Sequence, residues 1–145
     1  MEVFTIGFTK KSAEGFFELL KCHGIKRLVD IRLNNVSQLA GFTKREDLQF
    51  FLKEICRTEY HHEPLLAPTQ DMLDAYRKKK NSWKEYEQKF LALMASRRIE
   101  ERLDHSLFAV PAVLLCSEPT SEHCHRRLVV EYLQSKWDDL QVKHL

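Results

Sequence analysis

One segment restricts the possible folds of this chain more than any other, the uninterrupted apolar run VPAVLLC at residues 110–116. A run of this length without polar alternation is typical of a strand covered by other elements on both faces, as in a parallel sheet. Parallel neighbours need long crossover connections, which are usually helices. We therefore expect this run to form the central strand of an α/β fold.

Strand-like and helix-like segments alternate along the rest of the chain. Further strand-like runs begin at Val3, Leu28, Glu59 and Leu140. Helix N-cap signals lie between them at Ser12, Thr43, Ser82 and Ser121. This alternation predicts a three-layer α/β fold, with a mostly parallel sheet of about five strands and helices on both faces, in one domain over residues 1–145.

Two of the helix starts have the pattern of a capping box, Thr43 with Glu46 and Ser82 with Glu85. After the first, Leu48, Phe51, Leu52 and Ile55 recur at helical spacing and predict a buried face. The long helical region at residues 69–103 is predicted to divide into two helices near Asn81.

Composition limits the classes of function. The 145 residues carry a net charge of only +2, so any recognition of phosphate must be local rather than a property of the whole surface. No charged start leads into an apolar run, which predicts a water-soluble protein with no membrane partner and the cytosol as its default compartment. In that setting the four cysteines are expected to be reduced thiols.

The expected fold indicates where a functional site would lie. In open α/β sheets, ligands bind outside the carboxyl ends of the strands, where helix N-termini point inward. Gly7 ends the first strand-like run, Asp30 and Arg32 end the second, and Cys116 and Glu118 end the central one, while the last helix opens with Cys124, His125 and Arg126. We expect these distant residues to converge.

Cys124 is the better of two candidate nucleophiles. A thiol at a helix N-terminus and beside cations has its thiolate form favoured. Cys116, at the end of an apolar strand, can equally be a small buried hydrophobe, and a structural role for Cys124 weighs evenly against a functional one. Glu118 is a candidate general base near the thiol, or else an exposed loop carboxylate.

The charged candidates also have plain structural alternatives. Asp30 and Arg32 lie on the same face of a strand, so an ion pair that orders the loop is at least as well supported as a catalytic role. Arg126 and Arg127 point about 100° apart on a helix, so at most one of them faces the crevice and the other reaches solvent. A surface salt bridge is the plain alternative for either arginine. We place Arg126 in the crevice, where a guanidinium suits phosphate or carboxylate.

A metal site is the sharpest competing chemistry. Cys116, Cys124 and His125, with His62 or His123 added, would be a soft ligand set for zinc. The spacing argues against it, because structural zinc sites usually have close Cys-x-x-Cys pairs and consecutive residues rarely both reach one ion. The sequence alone therefore predicts neither a metal nor another cofactor.

The basic run RKKK at residues 77–80, followed by Trp83 and Tyr86, has two interpretations. It could contact a nucleic-acid backbone and offer an aromatic ring for stacking. A solvated helix end is the commoner role of such a run, and we favour it here.

Several segments together resemble the domain-of-unknown-function family 488, and the resemblance runs nearly end to end. They are TIG at residues 5–7, LVDIR at 28–32, GFTK at 41–44, LLCSE at 114–118 and HCHRRL at 123–128. The resemblance implies a compact α/β fold and assigns motif positions to Asp30, Arg32, Cys116, Glu118, Cys124, His125 and Arg126. It implies no settled activity.

The chain departs from the family pattern after its first strand. The family commonly has Gly-His-Ser there, whereas this chain has Gly7, Phe8 and Thr9. If that histidine carried protons in other members, this member would be altered or inactive.

The first functional hypothesis is an enzyme acting on a phosphate-bearing substrate, a nucleotide or nucleic acid. In it, Cys124, Cys116 and Glu118 do the chemistry, while Gly7, Thr9, Asp30, Arg32, His125 and Arg126 bind the substrate. The alternatives are a non-catalytic module that binds a ligand or partner, and the metal site described above.

Overall fold

The computed structural model describes residues 1–35, 41–117 and 123–145, and it contains a five-stranded sheet whose strand pairs are all parallel. The order is β3-β2-β4-β1-β5. The strands are β1 Glu2–Gly7, β2 Arg27–Asp30, β3 Glu59–His62, β4 Ala112–Cys116 and β5 Gln141–His144. The apolar run is therefore the central strand β4, as predicted, and the polar strands β3 and β5 form the two edges.

Helices cover both faces of the sheet. They are α1 Ala13–Cys22, α2 Arg45–Phe51, α3 Gln70–Arg77, α4 Trp83–Arg97, α5 Ile99–Arg102 and α6 His125–Lys136. α1 and α2 pack on one face through residues such as Phe16 and Leu48. α4, α5 and α6 pack on the other through residues such as Phe90 and Leu128. The predicted three-layer α/β arrangement is confirmed.

β4 feeds both cores because its side chains alternate. Val113 and Leu115 belong to the core under α1 and α2, whereas Ala112, Leu114 and Cys116 belong to the core under α4 and α6. All five residues of the strand are buried. Cys116, its last residue, therefore points to the face on which α6 begins.

The start and the inward face of α2 differ from the prediction. Thr43 is not its N-cap, because Thr43 ends a 3-10 turn, Gly41–Thr43, and Lys44 caps the helix without a side-chain hydrogen bond. After Phe51 the chain continues as a π-helical turn, Leu52–Cys56. This wider turn rotates the following residues, so Ile55 is 43% exposed and does not join Leu48 and Leu52 in the core.

The region at residues 69–103 contains three helices rather than two. The predicted break near Asn81 is confirmed, since α3 ends at Arg77 and α4 begins at Trp83. A second break occurs at Arg98, which adopts a left-handed conformation with φ of 53°. The predicted cap Ser121 lies outside the described residues, and Cys124 stands at the N-cap of α6.

None of the helices in the described ranges combines the length and the apolar character needed to cross a membrane.

Candidate functional site

The carboxyl ends of three neighbouring strands lie side by side. They form the carboxyl edge of the sheet, at which the parallel strands end. Gly7 of β1 is in register with Cys116 of β4, and Asp30 of β2 is in register with Leu115 of the same strand. α6 starts above this edge, where the ring of His125 contacts the Ile31 carbonyl oxygen at 2.9 Å. The predicted convergence of the second strand, the fourth strand and the last helix is thus present.

A cleft of about 460 Å³ opens at this edge. Four of the predicted site residues line it: Arg32, Cys116, Cys124 and His125. A second part of the cleft wall comes from α3, α4 and the turn between these helices. It includes Tyr76, Arg77, Lys79, Trp83 and Tyr86.

Asp30 and Arg32 form the ion pair that the strand spacing suggested. The pair is buried, with Arg32 Nε 2.9 Å from Asp30 Oδ1 and Arg32 Nη2 2.9 Å from Asp30 Oδ2. Arg32 Nη2 also donates to the Thr43 carbonyl at 2.7 Å, which ties the start of α2 to the strand end. Tyr60 donates to Asp30 Oδ2 at 2.6 Å, and burial together with this bond raises the pKa of Tyr60.

Phe8 occupies the position at which the resemblance described above implies a histidine in other members. It is buried, and its ring centroid lies 5.4 Å from Arg32 Cζ, within the range of a cation–π contact. A phenyl ring carries no titratable proton. In this chain the position supports the Arg32 guanidinium instead.

Cys116 and Cys124 are joined by a disulfide, contrary to the expectation of reduced thiols. The fold brings them together because Cys116 ends β4 on the face where Cys124 begins α6. The other two cysteines, Cys22 and Cys56, are free. Neither bonded sulfur is a nucleophile until the bond is reduced, and the preference for Cys124 over Cys116 gains no support from this geometry.

His125 is held as a neutral imidazole. Burial is the main cause that lowers its pKa to about 4. The hydrogen bond to the Ile31 carbonyl and the Asp30 charge oppose this shift, and the Arg126 charge adds to it. A carbonyl oxygen only accepts, so the Nε2 atom that contacts Ile31 carries the proton. Nδ1 is then the nitrogen with a lone pair.

Arg126 and Arg127 point in different directions, as helix geometry requires. Arg126 is completely buried, and its Nη1 lies 3.4 Å from Cys116 Sγ. The pKa of Lys11 is lowered mainly by the burial of Lys11 and, to a smaller extent, by the charge of Arg126. Arg127 instead forms salt bridges with Glu87 and Glu131, the surface role that was weighed as the alternative for either arginine.

The remaining predicted residues lie beside the cleft rather than on its lining. Gly7 and Asp30 are buried, and Thr9 is held by a hydrogen bond from its backbone N–H to the Ser117 carbonyl at 3.0 Å. Together with Arg126, these residues are missing from the described residues that line the cleft. Glu118 lies outside the described residues.

The α3–α4 wall is the part of the site that sequence reasoning missed. Phe90, Tyr86, Trp83 and His123 form a series of stacked rings, with centroids 6.1, 5.2 and 5.0 Å apart from one ring to the next. The series leads from the completely buried Phe90 to the exposed His123 in the cleft. The basic run before Trp83 was the available signal, but nothing in the sequence related it to Cys116.

The basic run is exposed, as expected of a solvated helix end, but only part of it faces the cleft. Arg77 and Lys79 line the cleft, whereas Lys78 and Lys80 do not belong to the described lining. Lys79 has a positive φ of 58°, which reverses the chain at the end of α3. Two of the four cations are therefore placed where a bound anion would meet them.

A family model with the description "Domain of unknown function DUF488" matches residues 12–133. No curated protein and no solved structure matches the chain.

Proposed function

The chain belongs to the DUF488 family, and from this premise we propose that it is an enzyme acting on a phosphate-bearing substrate, a nucleotide or a nucleic acid. One observation supports this proposal above all others. The cleft combines stacked aromatic rings, two exposed cations and a sulfur–imidazole cluster within one cavity of about 460 Å³. Each group suits a different part of a nucleotide.

The base would be bound by stacking. His123 ends the ring series and is exposed, so an incoming base can extend the series by one more ring. Base–aromatic stacking tolerates any base and contributes about 1–3 kcal/mol per base. This supports a nucleotide or a single-stranded nucleic acid over a simple phosphate ester.

The phosphate would be bound mainly by Arg77 and Lys79. Arg32 also lines the cleft, but much of its charge is balanced by Asp30. Arg77 and Lys79 are exposed side chains and can reorient towards an anion. Attraction of this kind weakens as salt is added.

The reactive end of the cleft would be formed by Cys116, Cys124 and His125, with Glu118 retained from the sequence as a candidate acid–base group. Arg126 donates towards Cys116 Sγ and would favour the thiolate form of that residue after reduction of the disulfide. In this proposal Arg126 acts on the sulfur rather than on the substrate, and Gly7, Thr9 and Asp30 shape the strand ends.

Substrate binding is tested by titrating the protein with nucleoside monophosphates and with inorganic phosphate, following heat release. Trp83→Ala is expected to weaken nucleotide binding by roughly 5- to 100-fold, because the ring series loses its centre. Trp137→Ala is the matched control, since Trp137 packs against His105 and Phe108. Equal loss in both variants, or no nucleotide binding by the unaltered protein, contradicts the proposal.

The basic run at residues 77–80 offers both a test of phosphate binding and its matched control. The double variant of Arg77→Gln with Lys79→Gln should weaken binding and flatten its dependence on salt, because these two side chains face the cleft. The double variant of Lys78→Gln with Lys80→Gln removes the same charge from the same turn. A similar loss in both double variants would mean that net charge, not the cleft, attracts the ligand.

A non-catalytic binding module is the second candidate, favoured by Phe8. Its ring packs on Arg32 at the position where the family commonly has a titratable histidine. The variants Cys124→Ser and Arg126→Ala separate the two candidates. A purely structural role predicts a lower melting temperature with ligand binding retained and no turnover in any form of the protein.

A further inference from the structure

Three side chains at the reactive end of the cleft form a potential metal-binding cluster. Among the described residues, Cys116, Cys124 and His125 each offer one ligand atom, and these atoms lie within 4.8 Å of one another. All three side chains line the cleft. We infer that this cluster is a redox-controlled site for a divalent metal of the zinc class, closed by the Cys116–Cys124 disulfide and formed when that bond is reduced.

The geometry of the α6 N-terminus removes the objection raised by spacing. Cys124 is the N-cap, with an extended backbone at φ of −135° and ψ of 141°, and His125 is the first helical residue. This change of conformation between consecutive residues lets both side chains approach the end of β4. Cys116 then adds a ligand from a different element.

The His125 ring is oriented as a metal ligand. Its Nε2–H donates to the Ile31 carbonyl oxygen at 2.9 Å, so Nδ1 is left as the donor atom for a metal. Histidines that bind metals almost always give their other N–H to a carboxylate, a backbone carbonyl or a water, which fixes the ring.

The charge and softness of the ligand set favour zinc. Two thiolates neutralise a divalent ion, and Arg126 Nη1, 3.4 Å from Cys116 Sγ, can donate to one of them. Two cysteines and one histidine, with a fourth position left open, are a ligand set found in catalytic zinc sites. The open position would be filled from the cleft by water or by an oxygen of the ligand.

The redox step balances with a dithiol such as dithiothreitol as the reductant. The Cys116–Cys124 bond breaks, each cysteine gains a hydrogen, and the two thiols of the reductant become a cyclic disulfide. Metal binding then replaces the two thiol protons and releases them to solvent. In this form the sulfurs are ligands, and an oxygen held in the fourth position would take over the role of nucleophile in the proposed function.

The test adds zinc to oxidised and to reduced protein, removes unbound ion by gel filtration, and measures metal per chain by elemental analysis. Reduced protein is expected to retain about one equivalent and oxidised protein almost none. Cys116→Ser and Cys124→Ser should each lose the bound zinc, whereas the matched control Cys22→Ser, at a free and exposed cysteine, should retain it. Reduced protein that retains no more zinc than Cys116→Ser overturns the inference.

A second measurement does not depend on the folding of any variant. Cobalt(II) added to the unaltered, reduced protein should produce the visible absorption of a tetrahedral site together with a thiolate charge-transfer band, and zinc should displace both. Absence of the thiolate band overturns the inference. Nucleotide titrations of the oxidised, metal-free protein test the cleft separately, so failure of the metal site and failure of the proposed function give different results.

Discussion

Asp30 is a buried charge with several hydrogen-bond partners at the end of β2. Its carboxylate accepts from the Arg32 side chain, the Arg32 backbone N–H and the Tyr60 hydroxyl, and it is fully buried. The pair joins the end of β2 to the start of α2 through the bond from Arg32 to Thr43. Such an arrangement positions a loop, and it leaves Asp30 poorly placed to exchange protons with a ligand.

Asp30→Asn is expected to lower the free energy of unfolding by about 3 kcal/mol, because the buried Arg32 charge loses its partner. Tyr60→Phe, which removes only one hydrogen bond to the same carboxylate, should cost about 1 kcal/mol. Urea denaturation at neutral pH measures both. Equal losses would mean that the ion pair adds nothing beyond its hydrogen bonds.

His125 makes stability depend on pH in the disulfide-bonded, metal-free form. Burial lowers its folded pKa to about 4 from an ordinary value of 6.5, so between these values the unfolded chain binds the proton more readily. The free energy of unfolding that the neutral His125 contributes is therefore fully present above pH 6.5. It falls by about 2–3 kcal/mol for this partly exposed side chain as the pH falls towards 4.

The measurement compares urea denaturation from pH 4 to 7 in the unaltered protein and in His125→Gln. Glutamine keeps an N–H donor for the Ile31 carbonyl but does not titrate, so the carboxylates that titrate in this range are common to both proteins. As the pH falls from 6.5 to 4, the unaltered protein should lose about 2–3 kcal/mol more stability than His125→Gln, and above pH 6.5 the difference between the two curves should stay constant. Parallel curves would show that His125 is not held neutral.

At the scale of single elements, α4 supplies two aromatic rings to the wall of the cleft. Its first turn presents Trp83 and Tyr86, and its N-terminus is capped by Ser82, whose Oγ accepts from the Glu85 backbone N–H at 3.2 Å. A capped N-terminus holds the first turn in place. The cap therefore helps to hold Trp83 in the ring series, whereas Tyr86 and Phe90 are also held by packing in the core.

Ser82→Ala is expected to cost about 1 kcal/mol of stability because the first turn of α4 loses its cap. It should also weaken nucleotide binding, since Trp83 lies one residue from the cap. Ser96→Ala is the matched control on the same helix, where the exposed hydroxyl donates to the Leu93 carbonyl. Thermal denaturation and the nucleotide titration together decide whether the two effects are linked.

At the scale of the whole molecule, the sheet and its two cores could be predicted from the sequence, but the cleft could be predicted only in part. The apolar run of β4 and the alternation of strands and helices are local patterns, and they determine the layers. The strand-end residues Arg32, Cys116 and His125 followed from that architecture. The α3–α4 wall did not, because no local pattern states against which strand a helical hairpin will pack.

The same limit explains the error in α2. Helical spacing placed Ile55 in the core, but a π-helical turn begins at Leu52 and changes the register. Such a turn has no dependable sequence signal, since the apolar residues before it still fit the spacing of an α-helix.

Leu114→Ala should lower the free energy of unfolding by about 3 kcal/mol, because this central side chain is completely buried between the sheet and the helices. Ile55→Ala should change it by less than about 0.5 kcal/mol, as is usual for an exposed position. Urea denaturation of both variants tests the two-core description and the corrected register of α2. A large loss from Ile55→Ala would instead support the helical register predicted from the sequence, in which Ile55 is buried.

The placement of the polar strands β3 and β5 has a consequence for how molecules of this protein meet in solution. An unpaired strand edge can recruit a strand from another molecule and start ordered aggregates, particularly when it is long, flat and apolar. Here each edge is four residues long, and the outermost strands carry Glu59, two histidines, Lys143 and His144. These short, polar edges disfavour edge-to-edge pairing between molecules at concentrations at which a long apolar edge strand would promote it.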